Sequence, residues 1–99
     1  MAGPLGDDVV GRFETFQNTD IDATAEQLTA TSYPATRGVL LYAPSTNSGS
    51  VFVGNSSAVL TTTGIRIEAG KSLLVKVNNA NLIFVIGSAA NQALDVLVV

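Results

Sequence analysis

Cysteine, histidine and tryptophan are all missing from this 99-residue chain. Without cysteine there is no disulfide framework and no thiolate nucleophile. Without histidine the commonest general base and the commonest metal ligand are gone. Ser–His–Asp and Cys–His arrangements are therefore excluded within the chain, and a zinc site would have only carboxylates to use. No glycine-rich phosphate loop is present. The chain reads as a non-enzyme with no cofactor and no metal.

Aromatic residues are scarce: Phe13, Phe16, Tyr33, Tyr42, Phe52 and Phe84. Nucleic-acid platforms combine exposed aromatics with dense basic patches, and neither pattern occurs here. Long apolar runs are lacking too. The longest, Leu82 to Ile86, is the length of a strand, so no membrane-spanning helix is expected. The opening MAGPLGDDVV is acidic where a secretion signal would be basic, so synthesis in a cytoplasm is expected.

What is present is greasy. Apolar residues make up 46% of the chain and charged residues 13%, which is too hydrophobic for a disordered segment and leaves little charge to solvate a large free surface. A single domain of this size buries a modest share of its surface, so partner subunits are an expected source of stability.

From about residue 20 the pattern is β. Asp20 to Ala25 alternates polar and apolar, and Glu26 to Thr31 continues it after a kink. Arg37–Ala43 and Ser50–Val53 read as strands flanking the polar cluster Ser45–Gly49, which predicts a hairpin. Ala58–Thr62 reads as a short extended piece rich in threonine. Ile65 and Ile67 share one strand face, and Leu73, Val75 and Val77 share another. Asn78–Asn81 is a turn, Leu82–Ile86 a strand apolar on both faces, and Gly87–Gln92 a loop. In the last strand Leu94, Val96 and Val98 face one way, and Asp95, Leu97 and Val99 the other. Turn signals recurring across residues 33–92 predict an all-β fold, a small antiparallel sandwich or barrel. The excess apolar face of 82–86 and 94–99 predicts burial against another subunit.

Residues 1–19 differ from the rest and are assigned as an N-terminal arm, with 20–99 as the β domain. Val9, Phe13 and Phe16 recur at helical spacing, which fits either one short amphipathic turn or an extended arm with apolar anchors. Val9, Val10, Phe13 and Phe16 are the candidate partner-binding residues. Charge is uneven as well. Residues 1–36 hold six acids against one arginine, and residues 37–99 hold four bases against two acids. These halves can attract each other within one chain or between copies. Asp20 and Asp22 share a strand face and could in principle hold a hard cation, but a solvated face is the simpler reading. Asn55-Ser56-Ser57 matches a glycosylation acceptor, a pattern without meaning in the absence of secretion.

Several short stretches resemble a recurrent type of small phage virion protein. They are Arg37–Ala43, Asn47–Gly54, Thr63-Gly64-Ile65 with Ala69–Ser72, and Leu82–Ser88. The set is similar to compact β-sandwich proteins of tailed phages, including capsid decoration (cement) proteins. The resemblance implies a homotrimer on the virion's capsid surface that binds the major capsid protein and stabilises the shell, in some cases through an N-terminal arm. It also leaves room for another virion part, such as a tail, spike or head-fibre base component. Outside the virion, a carbohydrate-binding module is the competing expectation.

Overall fold

A computed structural model describes residues 13–99. Eight strands follow one another: β1 (Glu14–Ile21), β2 (Glu26–Gln27), β3 (Val39–Tyr42), β4 (Val51–Gly54), β5 (Ile65–Ile67), β6 (Ser72–Val75), β7 (Phe84–Gly87) and β8 (Gln92–Val98). They form two four-stranded sheets, one in the order β1-β8-β3-β6 and the other in the order β2-β7-β4-β5. Every pairing is antiparallel. The protein is thus an antiparallel β-sandwich, as the alternation and turn spacing predict.

The connectivity goes further than the sequence reading. Of all sequence-adjacent strands, only β4 and β5 lie in the same sheet; every other connection crosses to the opposite one. Two Greek keys folded over each other in this way make a jelly roll. The hairpin predicted between Arg37–Ala43 and Ser50–Val53 is therefore not formed: β3 and β4 sit in different sheets. The cause lies in the intervening turn. The Asn47 side-chain amide donates to the Ala93 carbonyl at 2.9 Å, and its oxygen accepts from the Ala93 N–H at 2.9 Å. Gly49 N–H donates to the Gln92 Oε1 at 2.8 Å. Bound to the start of β8, the turn carries the chain over the end of the sandwich instead of back along β3.

The core lies between the sheets. Ile21, Val39, Leu41, Val51, Ile67, Ile83, Val85 and Leu94 are buried to within 1% of completely. Alternation selects them, since every second residue of a strand faces the same side. In β8 this picks out Leu94, Val96 and Val98, all buried, as predicted.

Ala58–Thr62 is not a strand. Val59 N–H donates to Ser56 O, and Thr63 and Gly64 both donate to Leu60 O, so the segment is a pair of turns. They fold Val59 over the outer face of the second sheet, where it joins Phe52 and Ile86 in a second buried cluster with Ala25 and Phe84 against it. Gly54 and Gly64 permit this. A Cβ on Gly54 would stand 2.6 Å from Val59 Cγ2, and one on Gly64 2.9 Å from it, closer than real contacts allow. The strand expected over 82–86 is β7, Phe84–Gly87, which its own chain covers on both faces, while Leu82 stays in the preceding turn and half exposed.

At the N-terminal end, β1 starts at Glu14 and pairs with β8 from Glu14–Val98 to Asn18–Leu94. Residues 14–19, assigned to the arm from sequence, are an edge strand of the sandwich. Main-chain pairing and the stacking of Phe16 on Tyr33, centroids 4.5 Å apart, hold them there. The helical spacing of Phe13 and Phe16 is consequently not expressed as a helix.

Candidate interaction surface

The first sheet has one face in the core and one face outward. The register places the outward residues in two rows across all four strands. One row runs Thr15, Leu97, Leu40, Leu74; the next runs Gln17, Asp95, Tyr42, Ser72. The first row is apolar apart from its threonine, with Leu74 48% exposed. The second is polar: Gln17 Nε2 donates to Asp95 Oδ1 at 2.8 Å, and Tyr42 lies beside them. A shallow, mainly apolar groove runs between the rows, lined by Thr15, Gln17, Leu40, Tyr42, Asp95 and Leu97.

The 94–99 segment thus behaves differently from 82–86. Among the described residues no loop covers its outward residue Leu97, which joins Leu40 and Leu74 on one face. The sequence pattern puts Leu97 opposite Leu94, Val96 and Val98, and Leu74 opposite Leu73, without bringing them and Leu40 onto one surface. The signal was there in the Leu40-Leu41 and Leu73-Leu74 doublets, because adjacent apolar residues in a strand must face opposite sides. A second apolar strip follows the seam where β5 and β6 approach. Ile65, 60% exposed, and Leu82, 50% exposed, flank Leu73 and Val75 there.

The four candidate arm anchors part company. Val9 and Val10 lie outside the described residues. Phe16 is spent on Tyr33 within its own domain. Phe13, 66% exposed, stands just before β1 with its ring largely in solvent.

Asp20 and Asp22 do not form the shared strand face expected of them. The β1–β8 register shifts between Asn18 and Ile21, and Asp22 lies beyond the strand's end, accepting the Asn91 N–H at 3.0 Å and, through its carbonyl, that of Gly87 at 2.7 Å. Glu26 is held above the ordinary carboxylate range, first by burial and then by the nearby Asp20 and Asp22. Among the described residues, no three histidine, cysteine or carboxylate side chains come together as metal ligands. Exposed aromatics among them amount to Phe13 and Tyr42, with Tyr42 alone on a sheet face. Among the described residues no helix is long and apolar enough to cross a membrane.

The class defined by these features is a jelly-roll domain with an unpartnered apolar row on one sheet. Comparison of the chain with protein-family models, with curated proteins and with solved structures finds no match.

Proposed function

We propose that the protein is a structural component of a phage virion, of the capsid decoration type, that binds the major capsid protein shell as a homotrimer and stabilises it. The observation that carries this reading is the apolar row Leu97–Leu40–Leu74, which faces outward across one sheet with Leu74 exposed, Leu40 and Leu97 half-buried, and no loop among the described residues folded over it. Such a row on a chain with so little charge calls for a macromolecular partner. Each large apolar side chain fully buried on docking contributes roughly 1.5–3 kcal/mol before ordering costs, and Leu40 and Leu97, already half-buried, contribute less. A single copy therefore binds weakly, and simultaneous attachment of three copies supplies the strength. Residues 1–12 add a second attachment through Val9 and Val10, continued by the exposed Phe13.

The jelly roll supports the reading without deciding it. The fold recurs in viral capsid proteins, in lectins and in cupins, and fold alone does not assign function. A metal-dependent activity on this fold would have to do without histidine. The carbohydrate-binding reading needs an aromatic strip, and the sheet face offers Tyr42 alone among the described residues. The tail, spike or head-fibre base reading uses the same face on a different partner, and location separates it from the first.

The test is co-sedimentation with the phage's emptied shells, followed by electron microscopy of a labelled copy. The expected result is label on the shell lattice. Leu97→Asp should weaken shell binding about tenfold or more while leaving the fold intact, because the side chain points away from the core. Removing residues 1–12 should weaken binding further without unfolding the domain, whereas a cut at residue 19 would destroy β1 and say nothing about attachment. Normal shell binding by Leu97→Asp would overturn the assignment of this face, and label confined to the tail or fibre base would overturn the decoration reading.

A further inference from the structure

Acidic and basic residues lie at opposite edges of the first sheet. β1 forms one edge, with Glu14 at its start and Asp20 near its end. β6 forms the other, with Lys71 just before it and Lys76 just after; Arg37 shares a shallow polar depression with Lys76. β8 and β3 stand between, so the edges are separated by roughly 14 Å of sheet at the usual strand spacing. Opposite charges at this distance across solvent are largely screened. The attraction that the uneven charge distribution suggests is therefore unavailable to these residues within one chain. Among the described residues the single ion pair is Arg66–Glu68, on β5 and its exit; Glu68 lies three residues before Lys71, whose N–H donates to its carbonyl at 2.9 Å, and its carboxylate is turned to Arg66.

We infer that the contact between copies is head to tail, with the β1 edge of one copy against the β6 edge of the next. Three features of the structure favour this occupant. The charges are complementary: Glu14 and Asp20 on one edge, Lys71 and Lys76 on the other. Both edges are open among the described residues, since each strand pairs there on one side alone. Lastly, the directions fit. Each neighbouring pair in the sheet is antiparallel, so β1 and β6, three steps apart, run in opposite senses. Two copies placed side by side in the same orientation thus bring β1 to β6 antiparallel, the sense in which strands pair directly.

Lysines beside an edge strand also serve to discourage pairing. Acids on β1 and lysines by β6 each oppose pairing of an edge with its own kind, and leave β1-to-β6 pairing unopposed. The contact is heterologous: the surface given differs from the surface received. It closes into a ring if the rotation between copies permits and otherwise continues as a filament. Side-by-side packing leaves the Leu97–Leu40–Leu74 row of every copy on the same side, presented to a common partner. The inference rests on the oligomer of the proposed function and names the surface that builds it.

Sedimentation velocity of the full chain at micromolar concentration tests it, with circular dichroism and thermal melting as controls for folding. Wild-type association should weaken as salt is raised from about 0.05 M to 0.5 M, because exposed pairs are screened. Lys71→Glu with Lys76→Glu, or Glu14→Lys with Asp20→Lys, should each weaken association about tenfold or more. The chain carrying all four reversals should associate again. An oligomer indifferent to salt and to both edge reversals overturns the edge contact but leaves an oligomer standing. A folded fourfold variant that stays apart overturns it too. A wild-type chain that is monomeric throughout overturns the homotrimer of the proposed function and this contact with it. Should a variant fail to fold, the salt dependence of the wild type decides alone.

Discussion

Replacing Leu41 with alanine is expected to remove about 2–5 kcal/mol of folding stability, the range for a fully buried leucine truncated in a close-packed core. Leu41 is completely buried on β3, an inner strand of its sheet, between Val96 on β8 and Leu73 on β6. With β-pairing on both sides and the second sheet in front, its surroundings have little freedom to collapse into the cavity. A domain of this size is stable by about 5–15 kcal/mol, so the loss takes up a large share of the total. At about 4–8 °C per kcal/mol, the melting temperature falls by about 8 °C or more. Leu40→Ala is the internal control. The neighbouring residue faces outward in the apolar row, and its truncation is expected to cost under about 1 kcal/mol while weakening partner binding. Equal losses at the two positions in thermal melts would contradict the register of β3.

The second large effect lies at Gln92, a completely buried polar side chain at the start of β8. Its Oε1 accepts from Gly49 N–H at 2.8 Å, and its Nε2 donates to Ser48 Oγ at 3.0 Å and to the Ala90 carbonyl at 2.8 Å. One amide thus joins the turn entering β4 to the loop entering β8. Gln92→Met keeps most of the volume and removes the hydrogen bonds, leaving the Gly49 donor and the Ala90 acceptor unpaired. Gly49 is half-buried and Ala90 exposed, so water meets part of what is left; at about 0.5–1.5 kcal/mol for each of the three bonds lost, denaturant titration should show a loss of about 1.5–4.5 kcal/mol. Gln92→Glu adds a sign in pH. A carboxyl buried there would have its folded pKa raised above its unfolded one. Stability would be highest below the unfolded pKa and would fall as pH rises through the window between the two. A pH-independent loss would mean that the position opens to water.

Much of this was legible in the strand pattern. Alternation located β3 to β8 within a few residues and sorted Leu94, Val96 and Val98 from Leu97 before any contact was known. That works because a strand's side chains obey a period of two whatever sheet it joins. β1 was harder to see. ETFQNTDI turns only two apolar residues, Phe16 and Ile21, inward, and the register shift between them breaks the alternation, so the segment reads as an arm. The Ala58–Thr62 turns were missed for a related reason. Threonine favours strands by local propensity, yet here one residue, Val59, is drawn down over Phe52 and Ile86, and tertiary burial overrides propensity. Gln92 carried no signal in the sequence at all, because its partners are 43 or more residues away apart from Ala90.

The interaction surface divides along the same line. That two strands are apolar on both sides was evident from composition and order alone. Which of the two remains open could not be, since that depends on whether a loop folds back over it. β7 receives Val59 and Ala25, while the outer face of β8 receives no loop among the described residues and is shared with Leu40 and Leu74.

The order of residues by itself determined that the chain is all β, which residues face the core, and that it has no histidine or cysteine with which to carry out chemistry. These are local properties, set by side-chain type and a period of two. The tertiary structure alone decided the jelly-roll order, the apolar row on one sheet, and the separation of acids and bases to opposite edges. Each of those depends on which strands become neighbours, and that is settled by contacts between residues far apart in the chain, such as Asn47 with Ala93, which local pattern cannot encode.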